Sequence, residues 1–431
     1  MIVSTTQTNP WMMVSAQKTA PTNYIEIQPG ELRQTIRGFG GCFSELGARA
    51  LQSLSPQERD RVNDALFSAD GCGFTFCRLP IGASDFAHGW YSYDELPGDY
   101  QLKHFSIERD KTCIIPWVKQ AQSRQSAMQF MASPWSPPTW MKEPPVYNYG
   151  KLIHTPENEA AYANYLRRYV AAYAEQGIHI DQLHLQNEPT STQKFPSCVW
   201  TGEEMRDFIK RNFADGICPD TDLWLGTLNG PASDERYCWT RFNNYAHTVL
   251  QDEVCRKVVA GVGYQWGGKF AVQQTHDSYP ELELIQTESE CGNGENTWEY
   301  ALYIYELMHH YFRNGASAYM YWNMVLPAGG ESSWGWRQNS LVTVNEAQPQ
   351  YNHEYYLMKH FAHSSSQAHG ICKRTAHGQP YHRIPKLGRH QGFCDSEIRC
   401  RTENPCCSSA AQSYRLQKNS LTTIVIKSEN K

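Results

Sequence analysis

The sequence predicts an α/β fold: a (β/α)8 TIM barrel with an appended β-sandwich built from both chain ends. The first observation is that short apolar runs, bounded by Gly, Pro or polar turns, recur with helical stretches between them. The second is that eight such units extend over about 290 residues, the size of a barrel of this kind. The third is that strand-like pieces also occur outside these units, near both ends of the chain.

The eight runs that we interpret as barrel strands share short length and high apolar content. In chain order they span residues 38–45, 74–85, 128–135, 180–188, 222–230, 257–266, 282–290 and 318–326. Helices are predicted between them. In the stretches 157–176 and 296–314, apolar residues recur at intervals of three and four, which is typical of an amphipathic helix.

The remaining segments predict the second domain. We assign residues 37–327 to the barrel and residues 1–36 and 328–431 to a β-sandwich, since strand-like pieces such as NYIEIQP and LTTIVIK lie in the outer segments. One part of this domain departs from the pattern. Residues 364–413 hold five Cys and four His with almost no alternation. We interpret this segment as the product of two compensating frameshifts, and a zinc site is the alternative.

Composition limits the class of partner. With 431 residues, of which 40% are apolar, the chain can bury a large core, while a net charge of −5 provides no broad basic surface for nucleic acid. A neutral substrate is therefore expected. The chain also has 13 Trp and 25 Tyr, whose rings suit the stacking of sugar faces as well as ordinary packing. A carbohydrate or glycoside is the partner that this composition favours.

Cellular location is predicted from three features. No apolar run is long enough to span a membrane, and the N-terminus lacks the basic start and continuous apolar segment of a secretory signal. Nine Cys between Cys42 and Cys291 lack C-x-x-C spacing, which fits reduced thiols. We therefore expect a cytoplasmic protein, or a secreted one if a leader is missing. The sequence does not fix the oligomeric state.

Two acidic residues carry the functional prediction. Glu188 ends the fourth run and Glu288 ends the seventh. Active sites of such barrels lie where the strands end, and strands four and seven face one another across the opening. Hydrolysis of a glycosidic bond needs one carboxyl group to protonate the leaving oxygen and a second to attack or stabilise the anomeric carbon. Carboxyl groups about 5 Å apart would predict a retaining enzyme.

The spacing leaves one alternative open. Glu288 and Glu290 have the same parity along their strand, so the alternation of side chains does not decide which of them faces the opening.

Several motifs in order resemble glycoside hydrolase family 30, the group of glucosylceramidases, endo-β-1,6-glucanases and related xylan and galactan enzymes. The resemblance covers roughly residues 34 to 361. It is carried by QTIRGFGGCFSE, RLPIGASDFA, YSYDELPGDYQLKHFSI, ASPWSPPTWMK, LQNEP, the TESE stretch and AYMYWNMVL. By this resemblance Glu188 is the acid/base and Glu288, rather than Glu290, is the nucleophile.

The resemblance also implies residues that bind the sugar. Asp85 resembles the acid that hydrogen-bonds sugar hydroxyls, although a helix cap or turn residue is the alternative. Trp135 and Trp322 resemble the aromatic walls around the reacting sugar, with core packing as the alternative. Asn187 resembles the residue that contacts the 2-hydroxyl of the sugar.

The sixth and eighth strand ends supply further candidates. Tyr264, Gln265 and Trp266 close the sixth run, where glucosylceramidases have a His-Trp-Tyr pattern, and Gln265 in place of His indicates a different hydrogen-bond pattern. Trp334 lies in the Trp-rich stretch 330–340 after the eighth run. We expect it to contact substrate beside the opening, and ring packing in a surface loop is the alternative.

The predicted function is a retaining β-glycoside hydrolase that acts on β-glucosides, either as a glucosylceramidase or as an endo-β-1,6-glucanase. The alternatives are a β-xylosidase or xylanase of the same family and a non-catalytic carbohydrate-binding relative. A barrel enzyme of another class, such as an aldolase, would need a Schiff-base Lys or a metal set at the strand ends, and the sequence indicates neither. No cofactor or metal is expected.

Overall fold

A computed structural model describes residues 2–14, 24–32, 34–230, 244–365, 372–377, 397–400, 412–415 and 421–424 of the chain. Its centre is a closed barrel of eight strands, all parallel to their neighbours. The strands are β1 Gly38–Cys42, β2 Phe76–Ile81, β3 Gln129–Pro134, β4 Gln182–His184, β5 Asp222–Leu228, β6 Val259–Gln265, β7 Glu283–Glu288 and β8 Ala316–Asn323.

The strands follow chain order around the barrel, and β8 closes it by pairing with β1. Each strand lies within or overlaps one of the eight predicted runs, so the predicted (β/α)8 barrel is confirmed. Strand β4 is the shortest, because the chain leaves the ladder after His184, four residues before Glu188. The backbone N–H groups of Asn187 and Glu188 then donate to Pro134 O at 2.7 Å and Thr227 O at 3.0 Å.

Helices occupy the connections between the strands. They span Glu45–Gln52, Pro56–Phe67, Glu108–Lys111, Ile114–Arg124, Pro156–Glu175, Gly202–Asn212, Tyr245–Leu250, Glu253–Val258, Val272–Ser278, Trp298–Arg313 and His353–Ser365. Two of them correspond to the predicted helices 157–176 and 296–314. Pro156–Glu175 begins where Thr155 accepts a hydrogen bond from Asn158 N, and Trp298–Arg313 begins at Thr297, which accepts one from Tyr300 N.

The barrel interior is filled by side chains from five of the eight strands. Its apolar layer consists of Phe76, Met131, Trp224, Ile285, Ala318 and Met320, all buried. Strands β1 and β2 approach closely at Gly40, where an added Cβ would lie 1.9 Å from Phe76 O. The interior below the opening is therefore a packed core, and any site must lie at its carboxyl end.

The chain divides into two compact units, Met1–Ile36 with Lys359–Lys431 and Arg37–Met358. The boundary after residue 358 falls later than the predicted one after residue 327. Residues 328–358 contribute strands Val342–Asn345 and Gln348–Tyr351, which pair with each other; Val342–Asn345 also pairs with Val325–Pro327. The assignment of a β-sandwich to the chain ends stays a prediction.

In the unit of the chain ends, Ile2–Thr5 pairs with Met12–Met13 and Leu421–Ile424. A second sheet joins Tyr24–Leu32 to Cys372–His377 and Glu397–Cys400, and the latter pairs with Gln412–Arg415. Strands therefore do occur within 364–413, where the lack of alternation predicted none, because backbone pairing with Tyr24–Leu32 does not require an alternating sequence. The frameshift and zinc hypotheses concern mainly residues 366–371, 378–396 and 401–411, which lie outside the described residues.

Candidate active site

A buried arginine organises the carboxyl end of the barrel. Arg78 in β2 has a side chain that is 0% exposed, and its guanidinium donates to side chains from four other strand ends. It reaches Ser133 Oγ at 2.9 Å, Asn187 Oδ1 at 2.6 Å and Thr227 Oγ1 at 3.4 Å. It also donates to Glu288 Oε2 at 2.5 Å. A buried charge of this kind is stable only where it is paired and hydrogen-bonded, and Glu288 supplies the opposite charge.

Glu288 is the last residue of β7, as predicted for an acid at the mouth of the barrel. Its Oε2 accepts from Arg78 and from Gln265 Nε2 at 2.9 Å. The side chain is 13% exposed. Burial raises the pKa of the Glu288 carboxyl above its usual value, and the charge and hydrogen bond of Arg78 oppose that rise.

Glu188 lies on the segment that follows β4 and is partly exposed. Its φ of +49° belongs to the left-handed region that few side chains other than Asn and Asp adopt. The preceding residue, Asn187, is 3% exposed, and its Oδ1 accepts from Arg78, from Thr227 Oγ1 at 3.0 Å and from Gln265 Nε2 at 2.7 Å. Asn187 and Glu288 thus share two donors, which brings the ends of β4 and β7 to one place.

The alternation of side chains could not distinguish Glu288 from Glu290, but the structure does, because the two side chains contact different residues. Glu290 Oε2 accepts from Tyr303 OH at 2.5 Å, on helix Trp298–Arg313. The chain has left β7 by this point, so strand alternation no longer applies. Of the two residues, Glu288 joins Arg78 and Gln265, and Glu290 lies against the helix.

Two tryptophans cover Arg78. The centroids of the Trp135 and Trp322 rings lie 4.5 Å and 5.2 Å from Arg78 Cζ, and the two rings are 5.3 Å apart. Both are almost fully buried, at 1% and 2% exposure. The rings exclude water from the guanidinium, which strengthens its interaction with Glu288.

Asp85 follows β2 and is 5% exposed. Burial, reinforced by the negative charge of Glu288, raises its pKa to about 8. Its Oδ1 has no hydrogen-bond partner among the described residues. Below that pH Asp85 is a neutral acid beside Glu288, and its Oδ1 is buried.

Gln265 and Tyr264 were both predicted to bind substrate, and the structure places them on opposite faces of β6. Gln265 is fully buried among Asn187, Thr227 and Glu288, as its hydrogen bonds to them require. The Tyr264 hydroxyl instead makes a 2.6 Å hydrogen bond with Thr275 Oγ1 on helix Val272–Ser278. The structure does not bring Tyr264 to the site, because successive side chains of a strand point to opposite faces.

Trp334 lies in the loop after β8, as predicted. Its ring packs against Phe195, with centroids 5.4 Å apart, and against Trp336 at 5.3 Å. The neighbouring Ser333 Oγ donates to Asp85 O at 3.2 Å, so this loop contacts the segment that follows β2.

Sequence reasoning missed Arg78 and Thr227. The available signal was a single Arg inside the apolar run FTFCRLPIG, since a charged residue within a buried strand needs a partner of opposite charge. Thr227 gave no comparable signal, because a Thr is common in any strand.

In the part of the chain that the structure describes, no three His, Cys, Asp or Glu residues are grouped to hold a metal ion. Within the same ranges, no helix has both the length and the apolar character needed to cross a bilayer.

Comparison with known proteins agrees with this geometry. The chain is 29% identical over 361 residues to putative glucosylceramidase 2 of Caenorhabditis elegans, covering 79% of this chain and 69% of that protein. It is 26% identical over 359 residues to an endo-1,6-beta-D-glucanase of Neurospora crassa, covering 78% and 72%. The structure of SrfJ from Salmonella typhimurium shares the fold, with a TM-score of 0.79, 23% identity and 98% of each chain covered.

The glycosyl hydrolase family 30 TIM-barrel domain matches residues 36–365, which include all eight barrel strands and every predicted site residue. This chain is therefore a glycosidase and belongs to glycosyl hydrolase family 30.

Proposed function

We propose that the chain hydrolyses β-glucosides with retention of configuration, with Glu288 as the nucleophile and Glu188 as the acid/base. The observation that carries this proposal is the pair of donors, Arg78 and Gln265, that Asn187 and Glu288 share. Glu188 follows Asn187 directly and lies beyond the end of β4 with a φ of +49°, so strand alternation does not turn it to the opposite face, and we propose that the two acids lie beside one another at the opening. Their carboxyl separation of about 5 Å stays a prediction.

In the first step Glu288 Oε1 attacks the anomeric carbon of the sugar. The bond from that carbon to the leaving oxygen breaks, and Glu188 gives its proton to the oxygen as it leaves. The product is a glycosyl ester of Glu288. Arg78 and Gln265 hold Oε2 throughout, so that the reacting oxygen is presented in one orientation.

In the second step Glu188, now a carboxylate, accepts a proton from water. The water oxygen bonds to the anomeric carbon, and the ester bond to Glu288 breaks. Two displacements at one carbon restore the original β configuration. Arg78 stabilises the carboxylate of Glu288 as it re-forms.

Asp85 and Asn187 are proposed to orient the sugar. Asp85 carries a proton below about pH 8, so it adds no second negative charge beside the nucleophile. Its buried Oδ1 can bond a sugar hydroxyl. Asn187 Oδ1 already accepts hydrogen bonds from three protein donors, so the amide nitrogen of Asn187 remains to donate to the 2-hydroxyl of the sugar.

The relatives named glucosylceramidase and endo-1,6-beta-D-glucanase support a β-glucoside as the substrate. A β-xyloside is the alternative within the family. The location expected from the sequence, cytoplasmic or secreted, stays a prediction.

The test compares Glu288→Ala, Glu188→Ala and Glu290→Ala on aryl β-glucoside, aryl β-xyloside and β-1,6-linked glucan. Glu290→Ala is the matched control, because it removes a neighbouring acid that lies against Tyr303. We expect Glu288→Ala to lose turnover on every substrate. Glu188→Ala should still release a good aryl leaving group in the first step, since that group needs no proton.

Retention is checked by proton NMR of the first product, which should be the β-anomer. Full activity of Glu288→Ala on glucan, or a first product with the α configuration, would contradict the assignment of Glu288. If the chain preferred the β-xyloside and still required both acids, the proposed mechanism would stand and the proposed substrate would change to a β-xyloside.

A further inference from the structure

We propose that Trp334 and Trp336 form a binding subsite for a sugar ring on the leaving-group side, so that the natural substrate is a β-linked glucan or oligosaccharide rather than a glycolipid. This inference rests on the proposed function and names its substrate class. The two rings and Phe195 are called the aromatic platform below.

The platform is held in a fixed position. Its loop closes on itself, since Ser332 N donates to Trp336 O at 2.7 Å and Trp336 N donates to Ser332 Oγ at 3.0 Å. At its base Gln338 N donates to Gly330 O at 2.9 Å, and Gln338 Oε1 accepts from Asn323 Nδ2 at 2.8 Å at the end of β8. A preformed surface binds a ligand without the entropic cost of ordering a loop.

The platform contacts two segments that border the proposed site. Ser333 joins it to Asp85, which is proposed to bind the reacting sugar. Phe195, whose ring lies 5.4 Å from Trp334, belongs to the segment that follows Glu188. Because Glu188 must protonate the leaving oxygen, a surface that packs on its segment adjoins the part of the substrate that leaves.

The exposed surface of the platform has the character of a sugar site. Trp336 is 49% exposed, and Trp334 Nε1 is buried without a hydrogen-bond partner among the described residues. Trp336 thus offers an exposed ring on which the apolar face of a sugar can stack.

The rim of the platform is charged. Glu331 and Arg337 flank the rings, with side chains 59% and 66% exposed and their charged groups 3.9 Å apart. A pyranose matches such a surface, because it combines an apolar face with hydroxyls at its edge. The two alkyl chains of a ceramide would instead need a continuous apolar surface, which charged residues interrupt.

The experiment uses the full chain and three substrates: a β-1,6-linked glucose trisaccharide, glucosylceramide in detergent micelles, and β-glucosyl fluoride. The fluoride has a leaving group of one atom, which cannot reach the platform. We expect Trp336→Ala to lower kcat/KM on the trisaccharide about tenfold relative to kcat/KM on the fluoride. Trp336→Phe, which keeps a ring, should recover most of that ratio.

Phe270→Ala is the matched control. This ring is 76% exposed and follows β6, away from the platform loop in the chain. Its removal should leave all three rates unchanged. Equal losses on trisaccharide and fluoride in Trp336→Ala would overturn the leaving-group subsite, and a loss confined to glucosylceramide would overturn the sugar as its occupant.

Failure of the proposed function gives a different result. In that case the wild-type chain would not hydrolyse the fluoride, or Glu288→Ala would hydrolyse it as fast as the wild type. The two inferences can therefore fail separately.

Discussion

Two buried carboxylates in the barrel unit differ in how their oxygens are used. Asp110, on helix Glu108–Lys111, is 1% exposed and accepts three hydrogen bonds. Tyr91 donates to Oδ1, and Tyr93 and Tyr173 donate to Oδ2, each at 2.6 Å. Both oxygens of Asp110 are therefore committed to side chains of the protein.

Glu288 is bonded on one side only. Arg78 and Gln265 both donate to Oε2, and no hydrogen bond from the described residues reaches Oε1. Burial raises the pKa of both acids; at Glu288 the charge and hydrogen bond of Arg78 oppose the rise, whereas at Asp110 hydrogen bonds from the three tyrosine hydroxyls oppose it. A carboxylate whose two oxygens both accept hydrogen bonds from the protein therefore stabilises the fold. A carboxylate with one unbonded oxygen beside a fixed cation can instead react with substrate.

The largest effect is expected from Arg78→Lys. Lysine keeps the positive charge but loses the planar fork that reaches Glu288, Asn187 and Ser133 together. We expect kcat to fall by roughly 10²- to 10³-fold, as for the loss of an oriented donor in other active sites. Stopped assays on aryl β-glucoside measure this change.

The matched control is Arg109→Lys. Arg109 forms a similar fork with Glu45, at 2.7 Å and 2.9 Å, away from Glu288. Its replacement should change kcat less than about threefold. Equal losses in the two variants would mean that Arg78 acts through general stability.

Asp110→Asn should show the reverse pattern. The amide nitrogen cannot accept from tyrosine hydroxyls, so at least one buried donor loses its partner at a cost of about 2–3 kcal/mol in the free energy of unfolding. Urea unfolding measures that loss. The kcat of the folded variant should remain within about twofold of wild type, and a large fall in kcat would place Asp110 in the reaction.

The comparison also shows what the sequence can reveal. The eight strands were predictable because each is a short apolar run between turns, and Glu188 and Glu288 because they lie at the ends of such runs. The contacts between side chains that meet across the barrel were not predictable from the sequence. Arg78 reaches Asn187 and Glu288 from positions 109 and 210 residues away in the chain, and no local pattern encodes that convergence.

Tyr264 illustrates a limit of another kind. Its place at the end of β6 was predicted, but the face it occupies depends on strand register, and a shift of one residue reverses every side chain. The Asp110 cluster was missed because Tyr91, Tyr93 and Tyr173 carry no charge that would mark them as partners.

Asp85 differs from both Asp110 and Glu288, because it is a buried acid whose Oδ1 has no hydrogen-bond partner among the described residues. The variant Asp85→Asn tests the effect of its charge. The pKa of Asp85 is raised from 3.8 to about 8, so between these values the folded chain binds more protons than the unfolded chain. Its contribution to stability is therefore full below about pH 4 and is lost as pH rises towards 8.

An asparagine does not ionise, so Asp85→Asn should escape this loss, and between pH 5 and pH 8 its free energy of unfolding should gain about 4 kcal/mol relative to wild type. Urea unfolding at pH 5 and pH 8 measures the difference. Asp220→Asn, at an exposed position, is the control and should follow wild type at both pH values. Parallel curves for Asp85→Asn and wild type would show that Asp85 is ionised over the whole range.

The smallest effects on the free energy of unfolding are expected from replacing single tyrosines that donate to Asp110. Tyr173→Phe leaves Oδ2 with the hydrogen bond from Tyr93, so it should cost only about 1 kcal/mol. Tyr91→Phe removes the one described donor to Oδ1, and should cost more, about 1–3 kcal/mol, while its ring still packs 3.9 Å from Arg109. Urea unfolding of both variants tests this order. If Tyr173→Phe were the more costly change, the stability of the cluster would depend on ring packing rather than on the number of donors at each oxygen.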